Sequence, residues 1–356
     1  LDAQSKFMSA EATPRKVRLR TEVKEKFYRV VKRKFGAECM NIVFFGTSEF
    51  AMTVLHKLID SKHKVLAVVT QPDRQKGRRL KISPPPTKVL ATTHDIPVYQ
   101  SDDASSEESI AYLRKLNSDL FVVVAFGQIM KKEALDIPHV YAVNIHSSLL
   151  PKYRGAAPTN WAIMNGDIVS GVTIIRMNER MDEGDMLLKK EIAIDKNDTN
   201  ITLSEKLAYI GADALMETME SIKSGKAIFA KQDDSIATYA PKLKKEDGLI
   251  NWNEPAVKIH NKVRALLPWP SAYTHFKGKT LKILKTEVLE ALDSKGASGE
   301  VIDIIKHKGI VIKAGEGDLL IQYVQIEAKK PFDTDALLCG HKIPIGYCFP
   351  AQKYLA

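Results

Sequence analysis

The sequence predicts an α/β protein in two parts, a mostly parallel sheet covered on both faces and then a small antiparallel β-barrel. Three observations carry this expectation. Over residues 40–228, the continuous apolar runs NIVFFG, VLAVVT, DLFVVVAFG and HVYAVNIH alternate with amphipathic segments, as strands buried on both faces of a parallel sheet must. From residue 248 on, the runs KTLKILKTEVL, GEVIDII, GIVIKAG and DLLIQYVQIEA are short and alternating, with the roughly 8–12-residue spacing of barrel or sandwich strands. Residues 229–247 between them have little periodicity and read as a linker.

Taken in order, NIVFFG is a first strand closed by glycine. TSEFAMTVLHKLIDS is a helix capped by Thr47 or Ser48. VLAVVT is the second strand, Ser101 to Asn117 a polar-faced helix, and DLFVVVAFG and HVYAVNIH the third and fourth strands. GVTIIRMNERMDEGDMLLKKEIAI reads as a pair of strands around the turn NERMDEGD, and Thr202 to Ser224 as a helix. LINW and a helix near AVKIHNKVRAL open the C-terminal part, 248–356.

The 356 residues are 44% hydrophobic and 27% charged, which excludes a disordered chain. No apolar run approaches the ~18–20 residues of a membrane-spanning helix. Cys39, Cys339 and Cys348 are odd in number and lack CxxC spacing. They argue against a disulfide scaffold or a zinc site and for a reducing compartment. No metal is expected.

The excess of +10 is localised. Residues 1–39 carry 11 basic and 5 acidic side chains, residues 40–228 carry 23 of each sign, and residues 248–356 carry 15 basic and 11 acidic. A neutral middle flanked by basic segments suits a polyanionic partner, with a merely solvated basic surface as the alternative. Residues 1–39 stand apart as a basic extension: Leu1 is not an initiator, Met40 abuts the first strand, and 21–35 could form a basic amphipathic helix. A trimmed organellar presequence, an upstream extension and an appended segment all remain open, although five acidic residues count against the first.

Side chains of a strand alternate between faces, so Asn144 and His146 in AVNIH project from the same side. The carboxylate-rich turn MDEGD can converge on the same sheet edge. An amide and an imidazole can donate to a developing oxyanion, while a carboxylate orients the imidazole or a relaying water. No nucleophile elbow such as GxSxG is present, which favours direct transfer through a tetrahedral intermediate. FFGTSEF has strand–glycine–helix character but not GxGxxG, so NAD(P) or FAD is not expected.

With these residues in view, NIHSSLLPKYRGAAPTNWAIMNGD followed by GVTIIRMNERMDEGDML resembles the folate-dependent formyltransferases. TQPDRQKGRRLKISPPPTKVLA, TYAPKLKKEDGLINW and RALLPWPSAY resemble the basic loop and the C-terminal join of the methionyl-tRNA formyltransferase branch. The likeness runs from about Met40 to the C-terminus. It implies a Rossmann-like catalytic domain (40–228) and an OB-like C-terminal domain (248–356) that binds tRNA. The implied reaction moves the formyl group of 10-formyltetrahydrofolate to the amino group of methionyl initiator tRNA, for translation initiation.

By position, the resemblance gives Asn144, His146 and Asp182 as the catalytic trio. Asn144 and His146 would stabilise the oxyanion, and Asp182 would hold His146 and help move a proton. Ser148, Leu149, Leu150 and Pro151, with the loop Phe126, Gly127, Gln128 and Ile129, would form the folate site. Asp185 reads as a turn cap. Arg74, Lys76, Arg78, Arg79 and Lys81 fall within eight residues, and such a cationic loop can hold the phosphates of a tRNA acceptor end. Arg78 best matches the family's important arginine, with Arg79 the alternative. Trp252, Trp269 and Tyr273 are expected to pack at the domain join rather than stack on bases. The chain is expected to act as a monomer in the bacterial cytoplasm, with a mitochondrial or plastid matrix as second choice. The rivals are a sugar-nucleotide formyltransferase or a 10-formyltetrahydrofolate hydrolase on the same core, or a catalytically inactive tRNA-binding protein.

Overall fold

The computed structural model describes residues 39–76, 81–289 and 294–350. The basic extension, apart from Cys39, lies outside the described residues, as do Arg78 and Arg79. The N-terminal half is one seven-stranded sheet. Its strands are β1 (Asn41–Gly46), β2 (Lys64–Thr70), β5 (Val98–Gln100), β6 (Leu120–Val124), β7 (Tyr141–His146), β9 (Val169–Arg176) and β10 (Met186–Ala193). The two-residue β8 (Arg154–Gly155) follows β7, and β3 (Arg74–Lys76) pairs antiparallel with β4 (Lys81–Ser83) to make a hairpin of the basic loop.

The sheet order is β10-β9-β7-β6-β1-β2-β5. Strands β7, β6, β1, β2 and β5 run parallel, and β9 and β10 are antiparallel additions. The chain builds outward from β1 through β2 to β5, then crosses to β6 on the other side of β1. That reversal at β1/β6 is where an open α/β sheet leaves a crevice beyond its carboxyl ends.

Alternation along the strands feeds two cores. Ile42, Phe44, Val122, Val143 and Ile145 face a cluster shared with helices α1 (Glu49–Ile59) and α6 (Asn200–Lys223). Val43, Phe45, Phe121, Val123 and Ala142 face the other. Between α1 and α6 along the chain come α2 (Pro86–Thr93), α3 (Glu107–Lys115), α4 (Lys132–Leu135) and α5 (Pro158–Met164). Ser48, not Thr47, caps α1 by accepting from Ala51 N. In α6 a reciprocal Thr199–Thr202 capping box starts the helix two residues before its expected first residue.

The expected helix from Ser101 to Asn117 is shorter, beginning at Glu107 behind the cap Ser106. Ser101 Oγ and Ser109 Oγ both donate to Asp103 O, at 2.9 and 2.8 Å. These side-chain bonds satisfy the backbone locally and displace the first helical turn.

The C-terminal half is antiparallel and β-rich. Its elements are β12 (Ala272–Phe276), β13 (Lys279–Leu289), β14 (Val301–Ile305), β15 (Gly309–Lys313), β16 (Asp318–Ile326) and β17 (Phe332–Asp333), with α7 (Ala256–Ala265) and α8 (Thr334–Gly340). The pairing order is β12-β13-β16-β15-β14, with β17 on β16. Trp252 is fully buried in its core. Trp269, expected to pack, is 54% exposed. The turn that carries it leaves the interface after Leu267, whose carbonyl accepts from Asn200 Nδ2 at 3.2 Å. Tyr273 is half-buried.

The two halves share a defined contact. Leu266 is buried with Ala157 and Leu243, Asn160 Nδ2 donates to Ala265 O at 2.7 Å, and Arg264 Nη1 donates to Asp198 O at 2.9 Å. The segment between the halves is not a free tether. Its β11 (Tyr239–Ala240) pairs with β8, and Ala230 bridges Met186.

His63 supplies a pH test of the fold. It is buried, and its Nδ1 accepts from Met40 N at 3.1 Å at the start of β1. Burial holds its pKa below the ordinary histidine value, with Glu220 pulling the other way. The folded state therefore favours the neutral ring. The stability this contributes is complete above the ordinary value and is lost as pH falls through the depressed one. The melting temperature should drop over that acid window, and less so in His63→Gln. An unchanged profile in the variant would contradict the assignment.

Candidate active site

The site forms where the carboxyl ends of β6 and β7 meet the β9–β10 turn. Asn144 and His146 share the face of Ala142, as alternation requires. β9 runs antiparallel beside β7 and its following turn returns Asp182 to the end of that strand. Asp182 Oδ1 lies 3.5 Å from both Asn144 Nδ2 and His146 Nδ1, and Asp182 Oδ2 accepts from Gly155 N at 2.8 Å. One carboxylate thus faces the amide, the imidazole and a backbone donor. The three residues singled out by spacing and resemblance are brought together.

The protonation geometry of His146 follows from its other nitrogen. Nε2 lies 2.8 Å from Tyr153 O. A carbonyl only accepts, so Nε2 carries a hydrogen. In the neutral ring Nδ1 is then the bare nitrogen, turned toward Asp182, and it becomes a donor once it takes a proton. His146 is 6% exposed, so the ring is shielded from bulk water by the surrounding fold.

Three non-glycine residues around the site have positive φ: Ala125 (+43°), Tyr153 (+62°) and Asp182 (+57°). Such backbone costs about 1–3 kcal/mol per residue and clusters at functional sites. Asp tolerates the left-handed region best of the three, because its short polar side chain bonds locally. Here the side chain is held instead from a distance, by the Gly155 N–H.

Gly155 is required on two counts. Its φ is +120°, and a Cβ there would lie 2.7 Å from Ala240 O. This close approach lets β11 lie against β8 and leaves the Gly155 N–H aimed at Asp182. Gly155→Ala should lower both thermal stability and turnover, with overpacking of this kind costing about 1–3 kcal/mol. Wild-type melting and kcat in that variant would contradict the role.

The residues expected to contact folate divide by how their polar groups are already spent. Phe126 is buried, and its carbonyl accepts from Gln71 Nε2 at 2.8 Å and Thr47 Oγ1 at 3.3 Å. Gln128 uses both side-chain ends, accepting from Ala104 N and donating to Ser101 O. Gly127 and Ile129 are exposed, although a Cβ on Gly127 would lie 2.5 Å from Gln71 Nε2. In the SLLP turn, Ser148 Oγ donates to Lys152 O, Leu150 is fully buried, and Thr173 Oγ1 ties Ser148 O to Leu150 N. Pro151 is buried as well, and Leu149 half-buried. The turn is a rigid wall more than a set of free side-chain donors. A cavity of about 380 Å³ opens behind it, lined by Leu149, Lys152, Tyr153, Asp167 and Ser170, and none of the trio lines that cavity.

Asp185 accepts from Arg176 Nη2 at 2.6 Å, and the guanidinium sits 4.8 Å from the Phe229 ring centre. This pair braces the base of the turn and leaves Asp182 as the carboxylate of the site. In the basic loop, Arg74 is exposed, 3.8 Å from Asp102. The side chains of Lys76 and Lys81, like Arg78 and Arg79, lie outside the described residues. Among the described residues no group of His, Cys, Asp and Glu could hold a metal ion, and no helix is long and apolar enough to cross a membrane.

Arg154 and Gln232, which also touch this site, have no signal in the sequence beyond the RG of RGAAP. Gln232 lies 50 residues from Asp182, and only the folded path of the segment brings it there.

The formyl transferase family profile matches residues 40–219, and the profile of the formyl transferase C-terminal domain matches 242–342. The chain belongs to the formyl transferase family. It is 45% identical over 307 residues, 86% of its length and 96% of the relative, to the methionyl-tRNA formyltransferase of Geobacter sulfurreducens. It is likewise 45% identical to the methionyl-tRNA formyltransferase of Caldanaerobacter subterraneus subsp. tengcongensis, covering 86% of this chain and 99% of that one. Among solved structures it resembles HypX from Aquifex aeolicus in complex with tetrahydrofolic acid (TM-score 0.60, 18% identity, 84% of this chain and 47% of that one). It also resembles the sugar 3N-formyl transferase WlaRD (TM-score 0.60, 19% identity, 83% and 100%). These two likenesses concern the fold.

Proposed function

We propose that this chain transfers the formyl group of 10-formyltetrahydrofolate to the α-amino group of methionyl initiator tRNA. The observation that carries the reading is the likeness to methionyl-tRNA formyltransferases across both halves, over 86% of this chain and 96% of the relative. The sugar and hydrolase alternatives rest on a shared core fold alone.

In the proposed chemistry the amine attacks the formyl carbon, a C–N bond forms, and the carbonyl oxygen gains the negative charge. Asn144 Nδ2 donates to that oxygen. His146 Nδ1, paired with Asp182, receives the proton released by the amine and as an N–H supplies the second donor. The C–N10 bond then breaks and the proton goes to N10 of tetrahydrofolate. Asp182 stabilises the imidazolium between these events. Gly127 and Ile129, with the SLLP wall, offer the folate its surface. The reaction belongs in the cytoplasm of a bacterium, the source of the curated relatives.

The hairpin of the basic loop and the C-terminal surplus of positive charge hold the tRNA backbone. A cavity of about 430 Å³, lined by Lys245, Thr280, Lys282, Gln325 and Glu327, lies where the joining segment meets the C-terminal half and carries two lysines against one carboxylate. Replacing Arg78 with alanine should raise the KM for charged tRNA and lower the log–log salt slope by about 0.7–0.9, with donor binding unchanged. A wild-type slope and KM would refute the assignment. The activity itself is tested by following label from 10-formyltetrahydrofolate onto methionylated initiator tRNA; transfer is expected, and none would overturn the reading.

A further inference from the structure

Arg154 is a fully ionised side chain only 2% exposed, yet nothing in the proposed chemistry uses it. Its charge is balanced within the fold. Nη2 donates to Asp234 Oδ1 at 2.6 Å, Nη1 lies 3.6 Å from Glu183 Oε1, and Nε and Nη2 donate to Gln232 Oε1 at 3.0 and 2.8 Å. A buried charge left without such partners is costly, so the sequence must keep all of them in place.

Gln232 is the hinge of this arrangement. A guanidinium only donates, so the amide oxygen must face Arg154 and the amide nitrogen must face away. That nitrogen donates to two backbone carbonyls, Asp182 O at 2.6 Å and Gly184 O at 2.9 Å. Both belong to the turn that carries the catalytic carboxylate. Gly184 permits the turn to fold back tightly, since a Cβ there would lie 1.9 Å from Arg176 O. From above, Gly155 N holds the carboxylate itself, and Gly155 is the residue after Arg154. One short stretch therefore grips Asp182 by its side chain and, through Gln232, by its backbone.

We infer that Arg154 and Gln232 are positioning residues. They fix the Asp182 turn against Asn144 and His146, which makes the segment joining the two halves of the chain a working part of the active site. The inference rests on the proposed role of Asp182. The effect is on orientation: a displacement of about 1 Å at a catalytic group costs on the order of 10²-fold in rate, whereas substrate surfaces elsewhere are untouched. The expected signature is a fall in kcat with little change in KM.

Gln232→Ala removes both contacts. Gln232→Glu is more telling, because a carboxylate can still accept from Arg154 but cannot donate to Asp182 O or Gly184 O. Steady-state formyl transfer to charged tRNA would be measured for wild type, Gln232→Ala, Gln232→Glu, Asp182→Asn and each double variant, with thermal melting alongside. Asn is chosen because it also tolerates the left-handed backbone. Both Gln232 variants should lower kcat about 10–10²-fold with either KM changed less than about twofold. In the Asp182→Asn background the same changes should alter kcat by less than about twofold, because there is no carboxylate left to aim.

Multiplicative losses in the doubles, or a wild-type kcat for Gln232→Glu, would overturn the positioning role while leaving the trio intact. A wild-type rate for Asp182→Asn would overturn the trio reading and the positioning role with it. Arg154→Ala would strand buried carboxylate and amide partners and can simply unfold, so the test does not depend on it.

Discussion

Replacing His146 with alanine is expected to lower formyl transfer on the order of 10²–10³-fold, the range for loss of one oxyanion donor. His146 is held by Tyr153 O through Nε2 and faces Asp182 through Nδ1, so its removal takes away both a donor and a proton acceptor. Nothing in that geometry places the ring against the basic loop or the C-terminal half. Binding of charged tRNA should therefore survive nearly unchanged in a filter or fluorescence titration, while single-turnover transfer collapses. Equal loss of binding and rate would contradict the proposed role, and so would a rate within a few-fold of wild type.

The second large effect concerns stability. Trp252 is fully buried beside Phe349 and Gly299, where a glycine Cβ would already lie 3.2 Å from the indole. Its truncation to alanine leaves a cavity that the surrounding strands cannot collapse into, a change that costs about 3–5 kcal/mol. Calorimetry of Trp252→Ala should show a lowered transition. The catalytic half has its own cores, to which the C-terminal half adds Ala265, so equilibrium binding of the folate donor should persist below that transition. An unchanged transition would show that the C-terminal core is not organised around this residue.

Much of this molecule was legible in the sequence because the informative features are local. Short, β-branched apolar runs such as LFVVV, closed soon after by a glycine, fit strands buried on both faces better than helices, and period-2 alternation put Asn144 and His146 on one side without a structure. The basic loop and the carboxylate turn were visible as composition. Local side-chain competition hid the true start of α3 behind Ser101, Asp103 and Ser109, because helix periodicity does not register bonds that replace a helical turn. Trp269 was misplaced for a related reason: aromatic identity favours burial, but the path of the chain after Leu267 decides exposure. Long-range contacts were silent altogether. Residues 229–247 read as an unpatterned linker, yet Gln232, Tyr239 and Ala240 within them close on β8 and the Asp182 turn. No spacing rule connects residues so far apart in the chain.

The central claim is the acceptor, and one comparison tests it most directly. Label from 10-formyltetrahydrofolate is offered to methionylated initiator tRNA, to free methionine and to a 4-amino-sugar nucleotide at equal concentration. Label on the tRNA alone is the predicted result, since the role proposed for the basic loop and the C-terminal half is to hold a polyanion. Label on the sugar nucleotide, or release of formate without any acceptor, would contradict it: the trio's chemistry would stand and the assignment of the loop and the C-terminal half would not.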